Sequence, residues 1–444
     1  MSATSSSTRP TPEPAGPVAL WRLPFKALSS LRLTVILLAF SIAVVFFGTL
    51  AQTEDGLYLA QAKYFRSYWA VWSPHAPDWR WLKIPLPGGY LLGFLLLANL
   101  IAAHMTRFQF TWKKSGIFLT HIGIILLLIG QLTTDMFARE SRMRFAEGEF
   151  RNYTEGFQES EIAVLTDAPD ASMDQVVAFP QPLLRSGAEL QNTSLPFRLR
   201  LVDYLPNSDP ELRNDPKSGE DFSGVGREFE FKSIPETHEM DSKNVPSAVV
   251  EVVGTDGKSL GRWALSGWAG DADMANVLFV GWMRSFQKRG DGSPFVRARR
   301  LVDQITAPQT FEVGGKRYTL VLRPERYYEP FSLILQRVTH EVYPGTDVPK
   351  NFQSRVRIDH PATGENREVD IYMNNPLRYG GLTFFQHQMD SSSMNLDNKP
   401  VTVFQVVRNP TWLTPYIGTI VVGLGLLVQF SIHLVGFLRK RPAR

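Results

Sequence analysis

Four apolar runs, each free of Asp, Glu, Lys and Arg, occupy residues 33–51, 88–105, 115–134 and 413–438 of this 444-residue chain. A helix needs about 20 apolar residues to cross a hydrocarbon core. The first three runs therefore match one crossing each, and the longer fourth must tilt or overhang. Buried helices of a soluble protein would place charges within such lengths. Between the third and fourth runs lies a polar insert, residues 135–411. The layout predicts four transmembrane helices in a 3+1 arrangement, with one large domain between helices 3 and 4.

The basic residues orient that layout. The N-terminal tail (Arg9, Arg22, Lys26, Arg32), the loop between runs two and three (Arg107, Lys113, Lys114) and the C-terminus (Arg439, Lys440, Arg441, Arg444) oppose one acid, Glu13. The loop at 52–87 carries only Lys63, Arg66, Arg80 and Lys83, with three acids. An excess of Lys and Arg marks the cytoplasmic side. The expected organisation is a cytoplasmic tail at 1–32, spans at 33–134, an extracytoplasmic domain at 135–411, and a fourth span with a basic cytoplasmic tail at 412–444. The first run follows about 30 residues of lead-in and exceeds the roughly 7–15 residues of a signal-peptide core, so a retained anchor is expected. Residues 1–17, rich in Ser, Thr and Pro, are expected to be disordered.

A sequence pI near 9.1 suggests nucleic acid at first sight. The insert, however, holds 32 Lys and Arg against 39 Asp and Glu, a net of −7 in a chain of +4. The basic excess sits in the membrane flanks, so the partner it implies is lipid and not nucleic acid. Cysteine is absent, which excludes a thiol oxidoreductase, an Fe–S protein and a covalent haem carrier.

The insert reads as β-rich. Alternating or β-branched and aromatic runs recur at 197–202, 228–232, 248–253, 318–322, 332–338, 354–358, 369–373, 382–387 and 401–406. Turn signals separate several of them: Gly254-Thr255-Asp256-Gly257, Gly290-Asp291-Gly292, Gly314-Gly315 and Pro361-Ala362-Thr363-Gly364. A sandwich or barrel-like sheet follows. Residues 205–226 read as an exposed loop, and 266–296 as a helix or a partner-facing insertion.

Phosphate loops, zinc-protease motifs and nucleophile elbows are missing from the sequence. His238, His340, His360 and His387 are scattered singly through the insert and read as surface or strand residues. Asn152-Tyr153-Thr154 and Asn192-Thr193-Ser194 match the weak glycosylation pattern. His121 differs. It lies seven residues past Lys114, roughly 10 Å into the bilayer at about 1.5 Å per residue, where an ionisable group marks a functional site by default. Gly116, Gly123 and Gly130 form a small-residue stripe along which another helix can approach. At about 100° per residue His121 faces elsewhere. It is either a histidine bonded across a helix interface or an axial ligand to haem iron, a role suited to neutral imidazole. His433 sits at comparable depth near the end of the last run. His104, three residues before Arg107, is interfacial and a weaker candidate.

The chain resembles the ResB family, also called CcsB, of cytochrome c biogenesis proteins. The resemblance covers nearly everything beyond residue 18. It rests on Ser-Leu-Arg-Leu-Thr at 30–34, Gly-Thr-Leu-Ala-Gln at 48–52, and His-Ile-Gly-Ile-Ile-Leu-Leu-Leu-Ile-Gly at 121–130. It rests also on Tyr343-Pro344-Gly345, Pro-Lys-Asn-Phe-Gln-Ser at 349–354, Asn-Asn-Pro-Leu-Arg-Tyr-Gly-Gly at 374–381, and Phe385-Gln386. The resemblance implies a multi-pass protein of the cell inner (cytoplasmic) membrane, not catalytic alone. It would be one subunit of a system II cytochrome c synthase with a Trp-rich CcsA/ResC-type membrane partner. That pair binds haem b, carries it outward and delivers it to the Cys-x-x-Cys-His of apocytochrome c. The family's intramembrane haem site takes one histidine from each subunit, and this chain's maps to His121. Trp69, Trp72, His75, Trp79 and Trp81 lack the spacing of the partner's haem motif and read as interfacial aromatics. Two other readings compete: a stand-alone b-type cytochrome with His121 and His433 as both ligands, and a scaffold without haem.

Overall fold

The computed structural model describes residues 22–74, 77–79, 81–107, 110–167, 174–238, 242–290, 292–346, 349–390, 396 and 399–440. Residues 1–17, His75, Arg80, Asp291, Arg441 and Arg444 lie outside them. The chain divides into two compact units. One holds the helices up to Met136 and from Thr411 onward, and the other holds Phe137–Thr237 and Asp241–Pro410.

Among the described residues, four helices are long and apolar enough to cross a membrane: Leu31–Asp55, Gly89–Arg107, Ser115–Phe137 and Thr414–Lys440. The first outruns its apolar run by a turn, through Gln52 and Glu54, because the backbone ladder continues where the composition changes. Its Leu37, Val44 and Ala51, seven residues apart, are buried, while Val35, Ile42 and Phe46 are exposed as a lipid-facing surface requires. The first span joins the second through buried Asn99, whose Nδ2 donates to the Ser30 carbonyl at 3.2 Å and whose Oδ1 accepts from Thr34 at 2.6 Å. A short antiparallel hairpin, Trp69–Trp72 with Ile84–Pro87, follows the first span. Trp72 packs on Phe47 with ring centroids 4.6 Å apart, whereas Trp69, Trp79 and Trp81 are exposed.

The glycine stripe of the third span meets the fourth. A Cβ at Gly116 would lie 2.5 Å from the Gln429 nitrogen, one at Gly123 2.6 Å from Val422, and one at Gly130 2.3 Å from Thr414. Gly418 and Gly425 return the contact on Leu127 and Thr120. Only a bare Cα permits this approach, and it leaves the other faces of the third span open to different partners.

The second unit is β-rich. Its larger sheet has ten antiparallel strands. Eight run in the order Glu365–Tyr372, Pro349–His360, Lys316–Val342, Phe150–Asp167, Arg139–Ala146, Val401–Arg408, Leu382–Asp390 and Leu377–Tyr379. Gln309–Val313 adds to Lys316–Val342, and Asp174–Pro180 to Phe150–Asp167. A four-stranded sheet, which includes Phe197–Leu205, Ser247–Gly254 and Ser259–Ser266, packs over part of this surface through Leu199, Val250 and Trp263 against Ile162 and Leu320. Strands from both ends of the larger sheet share a second core around Phe145, Leu333, Ile371, Phe384 and Phe404. A sandwich over one half and a rolled sheet in the other match the expectation of a sandwich or barrel-like sheet.

Three local readings change. Residues 205–226 are not all loop: Ser208–Leu212 pairs with Phe229–Ser233, and Ser208 is fully buried, bonded to Ser247. Gly290 does not join strands. It caps the helix Ala272–Arg289 in the left-handed conformation, and the helix Pro294–Ile305 follows. The runs at 318–322 and 332–338 are one strand, Lys316–Val342, bent by register shifts beside Pro324 and Tyr328. Gly314-Gly315, with φ of 58° and 75°, makes the tight hairpin that its sequence signalled.

Candidate functional site

The second and third spans bring His104 and His121 together. His104 Nε2 and His121 Nδ1 lie 3.2 Å apart, and the rings stand nearly perpendicular with centroids 4.7 Å apart. His104 Nδ1 lies 3.0 Å from the carbonyl oxygen of Leu100, one turn earlier on its own helix. Both side chains are half-buried, and Phe118 flanks His104. His121 thus looks away from the glycine stripe, as its helical phase requires. His433 is exposed on the fourth span.

The seam holding this pair continues in one direction. Tyr90, Gly93, Phe94 and Leu97 fall at i, i+3, i+4 and i+7 on the second span, with His104 seven residues further. Leu128, Gln131, Leu132 and Asp135 repeat that spacing on the third, with His121 seven residues before. These residues line a cavity of about 460 Å³ that begins two turns from the histidines. Its far end is polar. Asp135 accepts from the Tyr90 hydroxyl, and its other oxygen lies 2.9 Å from Arg66 Nε. A neutralised carboxylate satisfies the requirement that charge at the end of a span be paired. Sequence reading assigned Asp135 to the insert and missed this cluster; the i, i+3, i+4, i+7 spacing was the signal available.

In the second unit the histidines stand apart. His340 stacks on Phe352, His360 lies beside Phe331 and Tyr379, and His387 meets the edge of Phe157. Among the described residues, no three His, Asp or Glu side chains gather where a metal ion would bind. Thr154 is fully buried in its strand, so the 152–154 pattern is a poor glycosylation acceptor. The polar focus of this unit is a charged cluster. Arg142 bonds Asp271, and also Asp273 at 2.6 Å; Arg144 reaches Asp273 at 2.6 Å and Lys243 reaches Asp271 at 2.6 Å. Asp271 also caps the helix Ala272–Arg289 by accepting from the Asp273 nitrogen. Burial pushes its carboxyl up, but Lys243 and Arg142 outweigh that and hold it down at about 2.

One segment of the chain is similar to known proteins. Residues 277–398 match the ResB-like family. That segment is ResB-like. The matched segment runs from within the helix Ala272–Arg289 past the strand Leu382–Asp390, and it contains the Tyr343, Asn351 and Asn374 motifs. Protein NrfI of Wolinella succinogenes is 34% identical over 119 residues, which is 27% of this chain and 12% of that protein. The matched stretch therefore spans a small part of that relative. The histidine pair lies outside the ResB-like segment.

As a donor set, the pair suits haem iron. It offers imidazole nitrogen in an apolar seam, with one ring nitrogen already hydrogen-bonded, as bound histidines require. His121 would hold the iron, since its Nε2 takes no part in the bond to His104.

Proposed function

We propose that this ResB-like chain is a membrane subunit of a cytochrome c biogenesis system that binds haem through His121. A Trp-rich multispanning partner supplies the second axial histidine. The observation that carries the reading is one imidazole nitrogen held outward, free of the glycine-packed helix interface, on a charge-free span. The ResB-like segment supports the biological role. The distribution of Lys and Arg supports cytoplasmic termini and an outward-facing β domain, which would grip the partner's outer loops and the unfolded apocytochrome. Haem is cargo here: it supplies the group that becomes covalently joined to the apocytochrome. What this chain contributes is a nitrogen at a fixed depth, an apolar seam around it, and an outer surface for the polypeptide client.

The test is His121→Ala in the chain co-expressed with the Trp-rich partner. Haem retained by the purified pair and mature cytochrome c should both fall to background, while the subunits still co-purify. Added imidazole should restore part of the haem content by supplying the lost nitrogen. A smaller defect is expected from His433→Ala. Undiminished haem in His121→Ala would sink the assignment. A stable bis-histidine haem in the chain expressed without a partner would instead favour a stand-alone b-type cytochrome. Reporter fusions after Lys114 should read cytoplasmic and those near Gly257 external; the reverse at Gly257 would overturn the orientation.

A further inference from the structure

The hydrogen bonds of the histidine pair decide which nitrogen is left over. The Leu100 carbonyl oxygen can only accept, so His104 Nδ1, 3.0 Å away, carries a proton. The contact with His121 sets this ring at that residue's depth and not at the interface. A second proton there would place a charge within two apolar spans, which is costly in lipid. Neutral His104 therefore presents only a lone pair at Nε2. His121 Nδ1 lies 3.2 Å from that nitrogen and must donate to it. The same count leaves neutral His121 with its own lone pair on Nε2, outside the bonded pair.

We propose that His104 is a positioning residue: by accepting from His121 Nδ1–H, it holds His121 in the tautomer whose Nε2 can bind iron. This rests on the reading of His121 as a haem ligand. Both nitrogens of His104 are engaged, one on Leu100 and one on His121, so His104 would have to abandon two hydrogen bonds to become a ligand itself. Iron-binding and zinc-binding histidines generally donate their second N–H to a fixed acceptor, which orients the ring and raises its basicity. A carboxylate acceptor would bring a charge into this seam. A neutral imidazole supplies the same lone pair without one, and the backbone of its own helix sets its tautomer in turn.

Two substitutions separate positioning from packing. His104→Leu fills similar space and removes the acceptor, whereas His104→Gln keeps a carbonyl oxygen able to accept. In the complex with the partner, His104→Leu should weaken haem binding about 10–100-fold and raise the haem reduction potential, because the less basic His121 favours ferric iron less. His104→Gln should recover most of both. A haem-free readout uses the full chain in lipid bilayers, labelled with 15N-histidine and examined by solid-state NMR, with His121 assigned by difference against His121→Ala. The wild-type protein should show His121 protonated at Nδ1 alone, and His104→Leu should show a mixture of tautomers. A wild-type His121 protonated at Nε2 would overturn the proposal even if no variant folds. So would a His104→Leu chain with wild-type tautomer and affinity. If His121→Ala loses haem while His104→Leu matches wild type, only this inference fails. If His121→Ala keeps its haem, the ligand assignment fails and the tautomer measurement still stands.

Discussion

The two units meet the same difficulty, a polar group away from water, in opposite ways. Within the spans of the helical unit the solution is neutral. His104 bonds a carbonyl one turn back and a ring on the facing helix, and Asn99 bonds Thr34 and the Ser30 carbonyl. In the β unit it is long-range and ionic. Arg142 meets Asp271 across 129 residues of chain, and Arg323 meets Glu161 at 2.9 Å across 162. Within the hydrocarbon core a helix has satisfied its backbone internally and favours sparse neutral side-chain bonds, with the Asp135–Arg66 ion pair kept to the end of a span. A β unit has a solvated surface and can bury full charges where several partners converge.

Breaking the ionic cluster should give the largest effect. Arg142→Ala leaves Asp271 buried with only Lys243 as a close counter-charge, and removing one member of a buried pair costs about 3–5 kcal/mol. In the full chain in detergent, the β signal in circular dichroism should melt well below wild type while the helical signal persists. Coincident loss of both signals would show that the two units do not respond separately.

A smaller loss is expected from the helical side. Gly123→Leu drives a side chain into Val422 and the backbone at Gly418, and overpacking typically costs about 1–3 kcal/mol. Cysteine pairs placed across the third and fourth spans should cross-link less efficiently in that variant. Gly93→Ala faces open space and should leave cross-linking unchanged. Equal behaviour of the two variants would mean that the glycine stripe does not set the approach of these helices.

Acid should give the smallest change, and one with a definite sign. The Asp271 carboxyl sits at about 2 in the folded chain, below its ordinary 3.8. A depressed carboxylate contributes stability that is complete above the unfolded value and lost as pH falls through the folded one. Between about pH 4 and pH 2 the β unit should therefore lose on the order of 2 kcal/mol through this group. Asp271→Asn should be less stable at neutral pH and should lack that increment of acid sensitivity. An unchanged acid slope in the variant would remove Asp271 from the account.

What was legible follows the same division. The spans could be read because a bilayer imposes length and composition on every crossing helix, and the glycines at 116, 123 and 130 carried the face for the fourth span in their spacing. Most of the alternating strands of the insert could be read as well. Arg139–Ala146 and Phe150–Asp167 escaped because their charged and polar residues defeat the alternation rule. Arg142, Arg144 and Glu161 point inward only because Asp271, Asp273 and Arg323 come to meet them.

The sequence by itself determined that the chain has four crossings around one β-rich insert, and that His121 faces away from the glycine stripe. Those properties depend on composition and helical phase, which are local. Only the tertiary structure decided that His104, ranked below His433 by depth, is the histidine that meets His121, and that Asp135 closes a cavity with Tyr90 and Arg66. Depth is a coordinate along one helix, whereas partnership depends on which neighbouring helix presents a side chain at that height. That choice is made by packing between spans, and no single span's sequence contains it.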